Sequence, residues 1–169
     1  MRAYAGVRIR LATDADVAAI VAVTNDAFAV ETFLDGTRTD ADDVRQAMAH
    51  GAFLVADDAS GRLIASVAIE PHEGRGYFGM LAIDPAQQRS GMGGAMVEAA
   101  EAYCRERGCT AMDITVLSLR SELLPFYRKR GYVEAGVEDF HPRIPLRPGL
   151  ECHCIRMSKP LTSPAPTTP

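Results

Sequence analysis

Two spacings of hydrophobic residues alternate along this chain. In "GVRIRLA" (6–12), Val7, Ile9 and Leu11 fall on every second position, which predicts a strand with one buried face. The spacing then becomes helical: Val17, Ile20, Val21 and Val23 share a stripe, with Thr13 or Asp14 placed to cap it. Residues 31–39 read as a loop, and Val44, Ala47 and Met48 form the inner side of a second helix near 40–50. Two β-rich runs, 52–58 and 62–70, are parted by "ASG" and predict a hairpin. "PHEGRG" reads as a loop and 77–84 as a strand ended by Pro85. Met96, Val97, Ala100, Tyr103 and Cys104 mark a third helix that stops at Gly108. A strand follows over 110–116. Ser121 then caps a short helix, "ELLPFYRKR", which Gly131 ends and in which Pro125 lies early enough to be tolerated. Residues 132–138 and 150–158 are the last strands, joined by the proline-rich "DFHPRIPLRPG" (139–149).

The resulting order, β-α-α-β-β-β-α-β-α-β-β, excludes an alternating barrel or a doubly wound sheet. It implies an α/β (mixed α+β) domain with a mixed sheet and helices on both faces. One domain spans 1–160, and the Pro/Thr-rich 161–169 is expected to be a disordered tail. A net charge of −4 draws the protein neither to nucleic acid nor to an anionic membrane. No apolar run approaches the roughly 20 residues of a membrane span, and "MRAYAGVRIRLATDAD" has no signal-peptide core, so a cytoplasmic location is expected. The four cysteines, Cys104, Cys109, Cys152 and Cys154, match no zinc pattern. "CHC" at 152–154 would place its cysteines on one strand face and His153 on the other, so no metal site is expected.

Glycine is costly beside a helix, yet Gly91, Gly93 and Gly94 gather where the third helix must begin. No P-loop is present. "GRGYFG" (74–79) has the Gly-x-Gly-x-x-Gly spacing but leads into a strand, the wrong context for a dinucleotide fold. "GMGGAM" (91–96) has the strand–turn–helix context but Met96 stands where the third glycine belongs. What remains is "QRSGMGG" (88–94) at a helix N-terminus, where unpaired N–H groups and the helix dipole suit a phosphate and Arg89 adds charge. A turn needing positive φ and close helix packing is the structural alternative.

Gln88-x-x-Gly91-x-Gly93 matches the Gln/Arg-x-x-Gly-x-Gly/Ala signature of the GNAT superfamily of acetyl-CoA-dependent N-acetyltransferases. The element order over 6–158 resembles that fold, with a mostly antiparallel mixed sheet of about seven strands and about four helices. "MLAIDPAQQRSGMGGAMVEAA" looks like the family's fourth strand, pyrophosphate loop and third helix, and "LPFYRKRGYVEAG" like its later helix and strand. The resemblance implies that an amine attacks the thioester of bound acetyl-CoA directly. Gln88, Arg89, Ser90, Gly91, Met92, Gly93 and Gly94 would hold the pyrophosphate, and the backbone of Leu81, Ala82 and Ile83 the pantetheine arm. An N–H near Leu81–Ala82 would stabilise the oxyanion, and Tyr127 would protonate the departing sulfur. Away from the motif, Tyr127 also reads as a half-buried aromatic.

Two positions depart from the family. The strand "YFGMLAI" carries no carboxylate, which leaves Glu70, His72, Glu31, Glu73 or a water chain as the base. Arg120 stands where an asparagine often contacts the cofactor arm, and it could meet a phosphate, the substrate or only solvent. The acceptor, an amine of a small molecule or peptide, is expected between 29–39 and 139–149. There Glu31 and Asp35 would suit a cation, Arg38, Arg143 and Arg147 an anion, and Phe28, Phe33 and Phe140 an apolar part. A homodimer is the expected assembly by resemblance, and an acyl-CoA-binding module without turnover is the rival function.

Overall fold

The computed structural model describes residues 6–162. Its elements are β1 (Arg8–Leu11), α1 (Val17–Ala27), α2 (Ala41–His50), β2 (Ala52–Asp57), β3 (Leu63–His72), β4 (Arg75–Ile83), α3 (Met92–Glu106), β5 (Ala111–Leu117), α4 (Leu124–Arg128), β6 (Val133–Asp139) and β7 (His153–Pro160). They form one seven-stranded sheet in the order β1-β2-β3-β4-β5-β7-β6, antiparallel except for the β4–β5 pair. The mixed sheet expected from the element order is therefore present.

Alternation along β2 divides the core in two. Phe53 and Val55 pack with Val17, Ile20 and Val44 beneath α1 and α2, while Leu54 and Ala56 join Met96, Val97, Ala100 and Met112 beneath α3. Strands covered on both faces read as continuous apolar runs, as β2 and β3 do. The start of α1 is fixed by Asp16, whose carboxylate accepts the Thr13 N–H (2.8 Å) and the guanidinium of Arg10. Arg10 also reaches Asp57, so one side chain ties β1, β2 and the head of α1 together. The arginine holds the Asp16 carboxyl down at about 2. At α2, Asp40 accepts the Asp43 N–H (3.0 Å).

The structure differs from the sequence reading at several places, among them α4, which covers only Leu124–Arg128, with Ser121 in the 3-10 segment before it and not at its cap. "PHEGRG" is not a loop: β3 and β4 run on to a two-residue turn at Glu73 and Gly74, both with positive φ (47° and 79°). Gly76 lies inside β4 because a Cβ there would sit 2.6 Å from Cys104 Sγ, so the glycine marks close packing on α3. The last strand runs over His153–Pro160 and not 150–158, and Leu161 beyond it is buried, its N–H bonded to the Thr110 carbonyl (2.8 Å). The rest of the expected tail, 163–169, lies outside the described residues.

Candidate active site

β4 and β5 pair only over Arg75–Tyr77 and Ala111–Asp113 and then diverge. Beyond Tyr77 the two strands become opposite walls of a cavity of about 570 Å³. Its far end is the head of α3, and α4 closes one side. Two residues of β4, Met80 and Leu81, face Val67 alone on β3, a bulge that re-aims the wall. Met80 takes a left-handed φ of 51° there, and Arg89 one of 67° in the loop before α3. Of the three non-glycine residues with positive φ among the described residues, these two line the cavity, the usual place for such strain.

The three glycines have separate duties. Gly91 caps α3 with φ 85° and has nothing within 4 Å of where a Cβ would stand, so its conformation and the space beside it both matter. Gly93 and Gly94 instead make room for α4. A Cβ on Gly93 would lie 3.2 Å from the Phe126 ring, and one on Gly94 2.6 Å from the Arg130 guanidinium. Arg130 stacks on Phe126 (3.7 Å) and donates to its carbonyl (2.8 Å), which fixes a second cation beside Arg89 at the glycine end. The structural reading of the glycines holds: Gly91 supplies the positive φ, and Gly93 and Gly94 the close packing.

Of the residues singled out from the sequence, Leu81, Ile83, Gln88, Arg89, Gly91, Gly93, Gly94 and Tyr127 line the cavity. Ala82 and Met92 are buried in the core instead, so only their backbone is available to a ligand. Ser90 is exposed and turns back to the Gln87 carbonyl. Tyr127 is 8% exposed within an aromatic cluster of Phe78, Phe126 and Tyr132. Burial, aided by Tyr77, pushes its phenol up to about 12, so it stays protonated at neutral pH. Behind it, Tyr132 donates to the buried Glu101 (2.9 Å), which also pairs with Lys159 (2.9 Å).

The candidate bases separate clearly. His72 and Glu73 sit exposed at the hairpin tip, against each other and away from the cavity walls. Glu31 is buried and committed: Arg120 donates to it at 3.0 Å and Arg38 at 3.4 Å. Glu70 lies opposite Tyr77 in the β3–β4 register, at the apex of the splay. Arg120, held also by Glu122 (2.6 Å), acts as a brace between the α1–α2 connection and the turn after β5.

Of the two segments expected around the acceptor, only the first supplies cavity walls, through Glu31 and Arg38, with Phe28 just before it. The 139–149 segment props it from behind. Leu34 bridges Leu146, Asp35 N–H donates to the Pro145 carbonyl (2.9 Å), and Arg147 N–H donates to the Phe33 carbonyl (2.9 Å). Arg143 is engaged by Asp40 and Asp43. Tyr77, Thr115 and Arg130 complete the walls and were not singled out beforehand. Arg130 stands one helical turn from Phe126, and that spacing was its only signal in the sequence.

Residues 20–132 match the model of the acetyltransferase (GNAT) family. The chain belongs to the GNAT family. It is 32% identical over 136 residues to a mycothiol acetyltransferase of Propionibacterium freudenreichii, covering 75% of this chain but 43% of that protein, so it spans less than half of that relative's length. Among solved structures, its fold is shared with the ribosomal-protein-S18-alanine N-acetyltransferase of Escherichia coli (TM-score 0.78, 16% identity, 96% and 98% of the two chains). It is shared also with yncA of Salmonella typhimurium, solved with its cofactor acetyl-CoA (TM-score 0.71, 19% identity, 95% and 96%). Among the described residues, no helix of this GNAT domain is long and apolar enough to cross a membrane.

Proposed function

We propose that this GNAT protein transfers an acetyl group from acetyl-CoA to a primary amine by direct attack within a ternary complex. One observation carries the reading: a single cavity joins the splayed β4–β5 walls, the Gly91 loop with its two arginines, and the Tyr127 side chain. Its volume is within the range of ordinary ligand sites.

The residues present fit the cosubstrate. Gly91 leaves open space before the first turn of α3, whose free N–H groups suit a pyrophosphate, and Arg89 and Arg130 supply positive charge. The backbone of Leu81, Ala82 and Ile83, on the stretch of β4 that β5 leaves unpaired, would bond an extended arm as a strand edge does. Acetyl-CoA supplies an activated thioester. A C–N bond would form as the C–S bond breaks, the amine's proton passing to solvent or Glu70, while Tyr127 would give its proton to the departing thiolate and regain one from solvent. An N–H of the Met80–Leu81 bulge is the proposed oxyanion donor. With this reading go a cytoplasmic location and a homodimer, for which the exposed strand β6, with Val133 and Val137 outermost, offers a surface.

The test is release of free CoA thiol from acetyl-CoA across a panel of amines. Tyr127→Phe is expected to lower kcat by about 100-fold while CoA still stabilises the fold. No release with any amine, with stabilisation by CoA intact, would favour an acyl-CoA-binding module.

A further inference from the structure

The charges lining the cavity are unequal: Arg38, Arg89, Arg120 and Arg130 face a single acid, Glu31. Arg89 and Arg130 belong to the glycine end. Arg120 is saturated by two carboxylates, at 3.0 Å from Glu31 and 2.6 Å from Glu122. Glu31, only 4% exposed at its side chain, has both oxygens occupied by arginines. That leaves Arg38. Its contact with Glu31 is long, at 3.4 Å through one nitrogen, and its guanidinium lies 4.9 Å from the Phe28 ring centroid. A guanidinium carries five N–H donors in a planar fork, so most of its capacity is unspent. Its side chain remains 27% exposed, which leaves that fork open to the cavity.

We infer that the acceptor is a small molecule bearing a carboxylate near its amine, of the α-amino-acid class, and that Arg38 is the residue that reads the carboxylate. The inference rests on the acetyltransferase reading of the same cavity. Three features at this end agree. Every acid lining the cavity is already neutralised, so an acceptor with several ammonium groups finds no partner there. A planar fork suits a carboxylate, which it can bind through two parallel bonds. The connection carrying Phe28, Glu31 and Arg38 is tethered by Arg120 and by the 139–149 segment, which holds Arg38 in place at the cavity wall. The Phe28 ring and the Tyr77–Thr115 pair, whose hydroxyls lie 3.1 Å apart, would hold the rest of the acceptor.

The experiment compares CoA thiol release for matched acceptors: free methionine, leucine and phenylalanine, each against its carboxamide. The free acids are expected to show kcat/KM about 30-fold higher, and Arg38→Gln to erase that preference. Thermal stabilisation of Arg38→Gln by CoA, equal to that of the parent, establishes that the variant is folded. Carboxamides used as well as or better than acids, or a preference that survives Arg38→Gln, would overturn the inference and leave acetyl transfer standing. No release with any acceptor despite stabilisation by CoA would overturn both readings; release confined to peptides would overturn the inference alone.

Discussion

Glu31 and Arg120 stand 89 residues apart in the chain and meet in a 3.0 Å ion pair at the wall of the cavity. The pair fastens the connection after α1 to the turn after β5, across the mouth that the splayed strands open. Glu31 is buried, and each of its carboxylate oxygens accepts from an arginine. Arg120→Ala is expected to destabilise the fold by about 3 kcal/mol, because it strands a buried carboxylate with one long contact. Adding Glu31→Gln should recover part of the loss in chemical denaturation, since the stranded charge is then gone.

Gly91 combines a left-handed backbone with open space, and two substitutions separate these properties. Asparagine tolerates positive φ, whereas glutamate adds both strain and like charge beside the proposed pyrophosphate site. Gly91→Asn is expected to keep CoA affinity within a few fold, and Gly91→Glu to lose more than about 10-fold, measured by calorimetry. Equal affinity in both variants would move the phosphate site away from this loop.

Burial raises the Tyr127 phenol to about 12 and the Cys104 thiol to about 12, above their unfolded values near 10 and 8.5. Groups raised in the fold favour it while protonated in both states. Their contribution is full below the unfolded pKa and declines as pH rises toward the folded one. The denaturation midpoint should therefore be level between about pH 5 and 8, fall steadily from there to 12, and fall on the acid side as Asp16 is protonated. Tyr127→Phe should reduce the part of that fall above pH 10 without abolishing it, because burial also raises Tyr132 and Tyr77.

Gly76 is packed against Cys104 and Met112 inside β4. Gly76→Ala should lower Tm by roughly 3–10 °C through overpacking, with the CoA thiol assay unchanged per folded molecule. The cavity walls begin beyond this residue, so stability and turnover ought to separate.

Local patterning carried much of the molecule. The β-rich runs at 52–58 and 62–70 and the helical stripe from Met96 to Cys104 follow from which faces of an element are buried, and that information is written within a few residues. "QRSGMGG" was legible for the same reason, since a helix head and its glycines form a contiguous unit. "PHEGRG" misled because glycine signals either a turn or a close approach. Gly74 supplies the first and Gly76 the second, and only the packing of α3 on β4 tells them apart.

The sequence by itself determined the family's fold, the loop at the head of α3 and Tyr127 as the residue to examine. Tertiary structure alone decided that Arg120 braces Glu31, that Arg130 stands beside Gly94, and that 139–149 supports the wall instead of lining it. Each of these joins segments far apart in the chain. Their meeting depends on the strand order β1-β2-β3-β4-β5-β7-β6 and on where β4 leaves β5, which no local periodicity encodes. Arg38 is the clearest case: one cation among several in the sequence, it becomes the under-occupied one only when every neighbour has taken its partner.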